Sequence, residues 1–156
     1  MKKKILWSLL IIIVVIQAFR PEKNKSTMMA ANDISKHYVV PENVTDILVR
    51  ACNDCHSNNT YYPWYSEIQP VAWWLQSHVN DGKRHLNFSE FAAYEPKRQH
   101  HKLEELIEEV KENHMPLNSY LWIHKEAKLT NDEKEALLIW AGVLAEQIKL
   151  KHDLKQ

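Results

Sequence analysis

The chain has 156 residues, room for one domain, and its 20 basic and 20 acidic residues cancel. That balance, with no basic patch, argues against a nucleic-acid or polyanion binder. Only two glycines and no internal repeat argue against an all-β fold of tight turns and against a solenoid.

Lys2, Lys3 and Lys4 precede an apolar run from Ile5 to Phe19, the layout of an export signal. As a helix the run would rise about 22 Å, short of the ~30 Å hydrocarbon core unless flanking cations snorkel. Phe19-Arg20-Pro21-Glu22 lacks the small residues a signal peptidase prefers, so the run reads as a retained anchor in preference to a cleaved signal peptide. The lysines favour a cytoplasmic N-terminus with the rest translocated, although Arg20, Lys23 and Lys25 weaken that bias. The expected organisation is a signal anchor or signal peptide over 1–20, a polar tether over 21–36 and a helical domain over 37–153.

Pro41 opens a predicted helix with Val44, Ile47 and Leu48 on one face, running into Cys52. A proline-bounded loop, Ser57 to Gln69, follows. Pro70 opens a second helix ending near Gly82, where a left-handed stop residue is expected. Phe88 to Tyr94 forms a short third. Lys97 to Asn113 carries an apolar stripe of Leu103, Leu106, Ile107 and Val110 and stops before Pro116. After a short helix over Asn118 to Lys125, Thr130 and Glu133 form a capping box ahead of the stripe Ala136, Leu137, Trp140, Leu144 and Ile148. The expected fold is all-α: a small helical domain behind an N-terminal membrane helix.

The motif that carries chemistry holds the only two cysteines. Cys52-Asn53-Asp54-Cys55-His56 is the pattern of covalent c-type haem attachment. Two thiols so spaced can form thioethers to the two vinyl groups of one porphyrin edge, and the adjacent histidine then ligates the iron. A thioredoxin-like pair would follow a strand, and none is predicted. A zinc site would have to recruit two distant histidines, and a disulfide between such close neighbours would constrain little entropy. Export favours haem independently, since bacterial c-type haem is attached after translocation.

A sixth iron ligand remains to be found, and Met115 or one of His78, His85, His114 and His124 is the candidate. Met115 follows the amphipathic helix in His114-Met115-Pro116, where proline favours an extended segment able to cross the distal face. Of eight large aromatics that fit either a haem wall or plain core, Trp64 and Trp73 are placed near the haem. Pro63 or Pro70 is expected to offer a carbonyl to the Nδ1 proton of His56.

Beyond this motif, Trp64-Tyr65-Ser66, Ile68-Gln69-Pro70, Trp73-Trp74, His78-Val79, Leu86-Asn87-Phe88-Ser89, Met115-Pro116, Tyr120, His124, Ala127-Lys128-Leu129 and Trp140 complete a longer pattern. Over roughly Val39 to Ala141 the chain resembles the small bacterial (Bacteroidetes-type) haem-binding domain family, a monohaem Cys-x-x-Cys-His group related to the class I cytochromes c. The resemblance implies His56 as proximal and Met115 as distal ligand. Asn113-His114 and Leu117 depart from the turn and second proline expected around Met-Pro.

The expected protein is a membrane-tethered electron carrier, not an enzyme, with one covalent haem c bound by Cys52, Cys55, His56 and Met115. Its domain would sit on the periplasmic side and exchange electrons with redox partner proteins at the membrane. The rivals are a haem enzyme or gas sensor with an open or displaceable sixth position, and a non-haem metal-binding or interaction domain using the same cysteines.

Overall fold

The computed structural model of the chain describes residues 2–26 and 28–154, and every regular element among them is helical. Helix α1 spans Lys2–Ile16 and buries none of its residues. A short turn, α2 (Ile34–His37), is capped by the Asp33 side chain, which accepts the Ser35 amide. Helix α3 (Glu42–Ala51) starts after Pro41 and buries Val44, Ile47, Leu48 and Ala51, one face of a helix.

The chain breaks at Cys52 and restarts as the single turn α4, Asn53–His56. After a 3₁₀ turn at Trp64–Glu67, helix α5 runs Val71–His85. A second 3₁₀ segment covers Phe88–Ala93, and α6 (Pro96–Lys111) buries Leu103, Leu106 and Val110. The short α7 (Asn118–Leu121) and a turn at Lys125–Ala127 lead to α8, Asn131–Lys151. The capping box at the head of α8 is present in both directions: Thr130 accepts the Glu133 amide, and Glu133 accepts the Thr130 amide.

Helices α6 and α8 pack along each other, α3 lies against α8, and α4 lies against α5. One apolar core joins them, with Leu103, Leu137 and Phe91 fully enclosed. Phe91 meets Tyr38 and Tyr94 at ring-centroid distances of 5.9 Å each. Truncating so enclosed a ring leaves a cavity that the helices cannot close. Phe91→Ala should therefore destabilise the domain by about 3–5 kcal/mol, read as a lower midpoint in chemical denaturation.

Two expectations need correction. The expected N-terminal membrane helix is not borne out: α1 has 15 residues, and no helix among the described residues is long and apolar enough to cross a membrane. The physical reason is its rise of about 22 Å against a hydrocarbon core of ~30 Å. Gly82 is not a helix stop either. It lies inside α5 with no left-handed backbone, and the helix runs one turn further to His85.

The stretch read as a tether lies along the domain. Asn24 donates to the Ser57 carbonyl (2.8 Å) and to Thr60 Oγ1 (2.9 Å), and accepts from Lys83 Nζ at 2.6 Å. The Ala92 amide donates to the Asn32 carbonyl at 3.0 Å. A single polar side chain thus pins residues around 24 to both the loop after α4 and the last turns of α5.

Candidate functional site

The break between α3 and α4 sets the geometry of the cysteine motif. Cys52 leaves the helical region (φ −126°), and its carbonyl accepts the amides of both Cys55 (3.1 Å) and His56 (3.0 Å). Residues four apart on such a turn share a face, whereas adjacent residues diverge by about 100°. Accordingly Cys52 and His56 line one cavity of about 610 Å³, and Cys55 lines a separate pocket of about 60 Å³.

The large cavity is walled by every major helix of the domain except α1. Ala51 and Cys52 come from α3, Leu86 and Phe88 from the segment after α5, and Leu106 and Val110 from α6. Met115 and Pro116 close another side, with Leu129 and Leu137 behind. Its volume is that of a prosthetic-group site, and the lining named here is apolar apart from Cys52. Glu105, Glu108, Glu109 and Glu112 line it from α6, where the Lys102 ammonium pairs with Glu105.

His56 is prepared as a ligand. Its Nδ1–H donates to the Leu86 carbonyl at 2.9 Å, so the proton sits on Nδ1 and Nε2 keeps its lone pair. Burial holds the imidazole below its ordinary pKa, the neutral form a metal needs, against the opposing pull of the Leu86 and Gly82 carbonyls. Phe88 packs on the ring edge at 6.3 Å between centroids. Neither Pro63 nor Pro70 supplies the acceptor, which comes from a segment thirty residues downstream.

That downstream segment is itself fastened. Asn87 caps the turn by accepting the Ser89 amide (3.0 Å) and donates to Asn58 Oδ1 (2.8 Å), while Asn58 N–H donates to Ser89 Oγ at 3.1 Å. Leu86-Asn87-Phe88-Ser89 is therefore the clamp that orients His56.

Asp54, inside the motif, is a second hub. Tyr120 Oη donates to its carboxylate at 2.8 Å, the Tyr61 amide does so at 2.8 Å, and Thr60 Oγ1 donates to its carbonyl at 2.6 Å. Burial and the neighbouring Asp54 charge push the Tyr120 phenol up, so it stays a donor.

Gly82 explains how α4 can lie so close to α5. A Cβ there would stand 2.6 Å from the Cys55 carbonyl oxygen and 2.9 Å from Cys55 Cβ. Both atoms belong to the tight motif turn, which has no flexible end to yield. Gly82→Ala should cost about 1–3 kcal/mol and displace Cys55, seen as a lower melting temperature together with reduced haem incorporation.

The cysteines are chemically quiet as they stand. Neither is in a disulfide. Burial, then the neighbouring Cys55, pushes the Cys52 thiol up to about 12 against the pull of Arg50, and burial with Asp54 pushes Cys55 up to about 11. A thiol-disulfide redox pair needs the opposite shift in its attacking thiol. Among the described residues no three His, Cys, Asp or Glu side chains converge to hold a metal ion, so a zinc site finds no ligand set. A metal carried inside a porphyrin needs only two axial donors from the protein, and the large cavity has a histidine and a methionine in its lining.

The Met115 side chain is half-buried against the core and lines the same cavity as His56. Among the alternative histidines, His78 and His124 line the small pocket instead. His124 Nε2 accepts from Tyr65 Oη at 2.7 Å, and its Nδ1 faces Glu126 at 3.2 Å, so both ring nitrogens are engaged. His85 and His114 border the large cavity but are exposed. Trp64 and Trp73, placed near the haem from sequence, line neither cavity and stand in the open.

An all-helical domain that gathers a neutral imidazole, a thioether and a thiol around an apolar cavity of this volume has the makings of a prosthetic-group carrier. A family model described as a haem-binding domain matches residues 11–142. The chain belongs to the haem-binding domain family, and haem is the cofactor that this membership supports. The match starts inside α1 and includes the stretch that Asn24 pins to the domain. No curated protein and no solved structure matches the chain.

Proposed function

We propose that the chain is a monohaem c-type cytochrome, related to the class I cytochromes c, that transfers electrons at a membrane surface outside the cytoplasm. In this reading Cys52 and Cys55 hold one haem c covalently, His56 is the proximal ligand and Met115 the distal one. Haem iron with both axial positions filled cycles between ferrous and ferric states and leaves no position for substrate.

One observation carries the reading: Cys52 and His56 from the motif turn and Met115 from the segment after α6 line a single cavity, with an apolar wall of Leu86, Phe88, Leu106, Val110, Leu129 and Leu137. The chain's residues then do three things. Leu86 fixes the His56 tautomer and ring direction. Leu106, Val110, Leu129 and Leu137 exclude water and lower the local dielectric. Met115 supplies a soft thioether, which favours the reduced state. Cys55 lines the neighbouring pocket, so its thioether would form with the side chain turned towards the large cavity.

The N-terminal helix supports the tether. Its apolar residues are exposed on every side, as expected of a segment that buries in lipid. Redox partners would be proteins in or at that membrane, met at high effective concentration.

Optical spectra of protein produced with the haem-attachment machinery test the reading. We expect a methionine-to-iron charge-transfer band and no ready binding of carbon monoxide. Rapid carbon monoxide binding with turnover of peroxide would replace it by a haem enzyme or sensor, with the exposed His114 beside the cavity as the distal acid or base.

A further inference from the structure

We infer that the face formed by Trp64, Ile68, Val71 and Trp74, at the foot of α1, lies on the lipid bilayer and holds the domain in one orientation. This rests on the reading of α1 as a membrane tether and goes beyond it, since a tether alone would leave the domain free to turn.

The foot of α1 is built into that face. The Gln17 side chain donates to the Gln69 carbonyl (3.2 Å) and accepts the Gln69 amide (3.0 Å). Gln69 Nε2 and Trp73 Nε1 both donate to the Phe19 carbonyl, each at 2.8 Å. Gln69 is buried, so the three bonds it makes are partly sheltered from competition with water. Four hydrogen bonds thus join the end of the apolar helix to the junction between the 3₁₀ turn and α5. A swivelling linker would show none.

The same junction presents large apolar side chains to the outside. Trp64 is 76% exposed, Trp74 50% and Ile68 46%, with Val71 and Trp73 also open. Scattered exposed apolar residues are ordinary, but here five fall within eleven residues, beside a helix with nothing buried. Its composition is that of a membrane interface, where indole rings with a polar edge and an apolar body collect.

Charge agrees with this occupant. Arg20 and Lys23 flank the face, joined to Glu67 of the 3₁₀ turn, and Lys25 follows. Two cations around one carboxylate leave a local positive excess at the level where anionic headgroups lie. A bilayer meets α1, the indoles and the cations together, whereas a folded protein partner would account only for the indoles. Trp74 also lines the pocket that holds Cys55, so this orientation turns the Cys55 side of the motif towards the membrane.

The test is hydroxyl-radical footprinting of the full-length holoprotein floated with vesicles of phosphatidylcholine and phosphatidylglycerol. Leu150, 79% exposed at the far end of α8, is the solvent reference. Tryptophan is intrinsically the more reactive side chain, so an uncovered Trp64 or Trp74 oxidises faster than Leu150. We expect the reverse on vesicles, with Trp64 and Trp74 slower than Leu150. Flotation with both indoles still faster than Leu150 would overturn the bilayer face, leave the tether intact and point to a protein partner for those rings. Failure to float at all would overturn tether and face together.

Discussion

Protein carrying Cys52→Ala and Cys55→Ala together should retain no haem after extraction with acidified organic solvent, whereas the parent chain should retain all of it. The two thiols are the only cysteines, so the loss is expected to be complete. The substitution should leave the helices standing. Neither thiol makes a disulfide, and neither side chain is fully buried. The motif turn is held by backbone bonds to the Cys52 carbonyl and by the ties of Asp54 to Tyr120, Tyr61 and Thr60, none of which needs sulfur. The cavity, the Leu86-oriented imidazole and Met115 also survive, so the double variant should still take up haem reversibly, through His56 and Met115. Single variants, each keeping one thioether, should be intermediate. Covalent haem persisting in the double variant would remove the attachment chemistry from the motif.

Met115→Ala should abolish the methionine-to-iron band, lower the reduction potential and admit carbon monoxide to the vacated position. The turn that presents Met115 sets this outcome. Helix α6 ends with Asn113 in the left-handed region (φ 63°), a conformation that asparagine tolerates. The amides of His114 and Met115 then both donate to the Glu109 carbonyl, at 2.9 and 3.1 Å. This fixes the register by which methionine, not the preceding histidine, faces the core. His114 turns outward, with Nδ1 3.5 Å from Glu109 and 3.6 Å from Glu112. Replacing Met115 by His114 would require breaking two backbone bonds and drawing an imidazole away from two carboxylates. An open position is therefore expected in the variant, not a histidine substitute. A spectrum unchanged from the parent would show that another side chain holds the iron.

These two results bear on what a reader of the sequence can and cannot extract. The helices were legible because their apolar residues recur at three and four, as in Val44, Ile47, Leu48 and Ala51, and because Thr130 and Glu133 announce α8. Cys52, Cys55, His56 and Met115 stood out by spacing and position. What was hidden depends on contacts between distant segments. The His56 acceptor is a backbone carbonyl, and every residue carries one, so only the fold selects Leu86. Gly82 was read as a helix stop, since nothing in its neighbours reveals that α4 crosses α5 there. Gln17 falls in the expected anchor over 1–20 and Asn24 in the expected polar tether over 21–36, yet both bind the domain through single amides that composition cannot distinguish from solvated ones. Trp64 and Trp73 are placed near the haem from sequence because indoles suit a porphyrin wall; in this fold Trp64 on the 3₁₀ turn and Trp73 on α5 both stand exposed.

The two cavities also give the motif a division of labour. Cys52 and His56 share the α4 face towards the large cavity, and Cys55 looks into the pocket formed with Tyr65, Leu117 and Tyr120. The motif turn itself is locked to α5 through Gly82 and to the Leu86–Ser89 clamp through His56.

The most direct measurement of the central claim is the intact mass of the full-length protein, made with the haem-attachment machinery and denatured before analysis. The account predicts a mass higher than that of the polypeptide by one haem, with a peptide spanning Cys52 to His56 carrying the whole increment. A denatured chain at the bare polypeptide mass, with haem recovered free in solution, would contradict it.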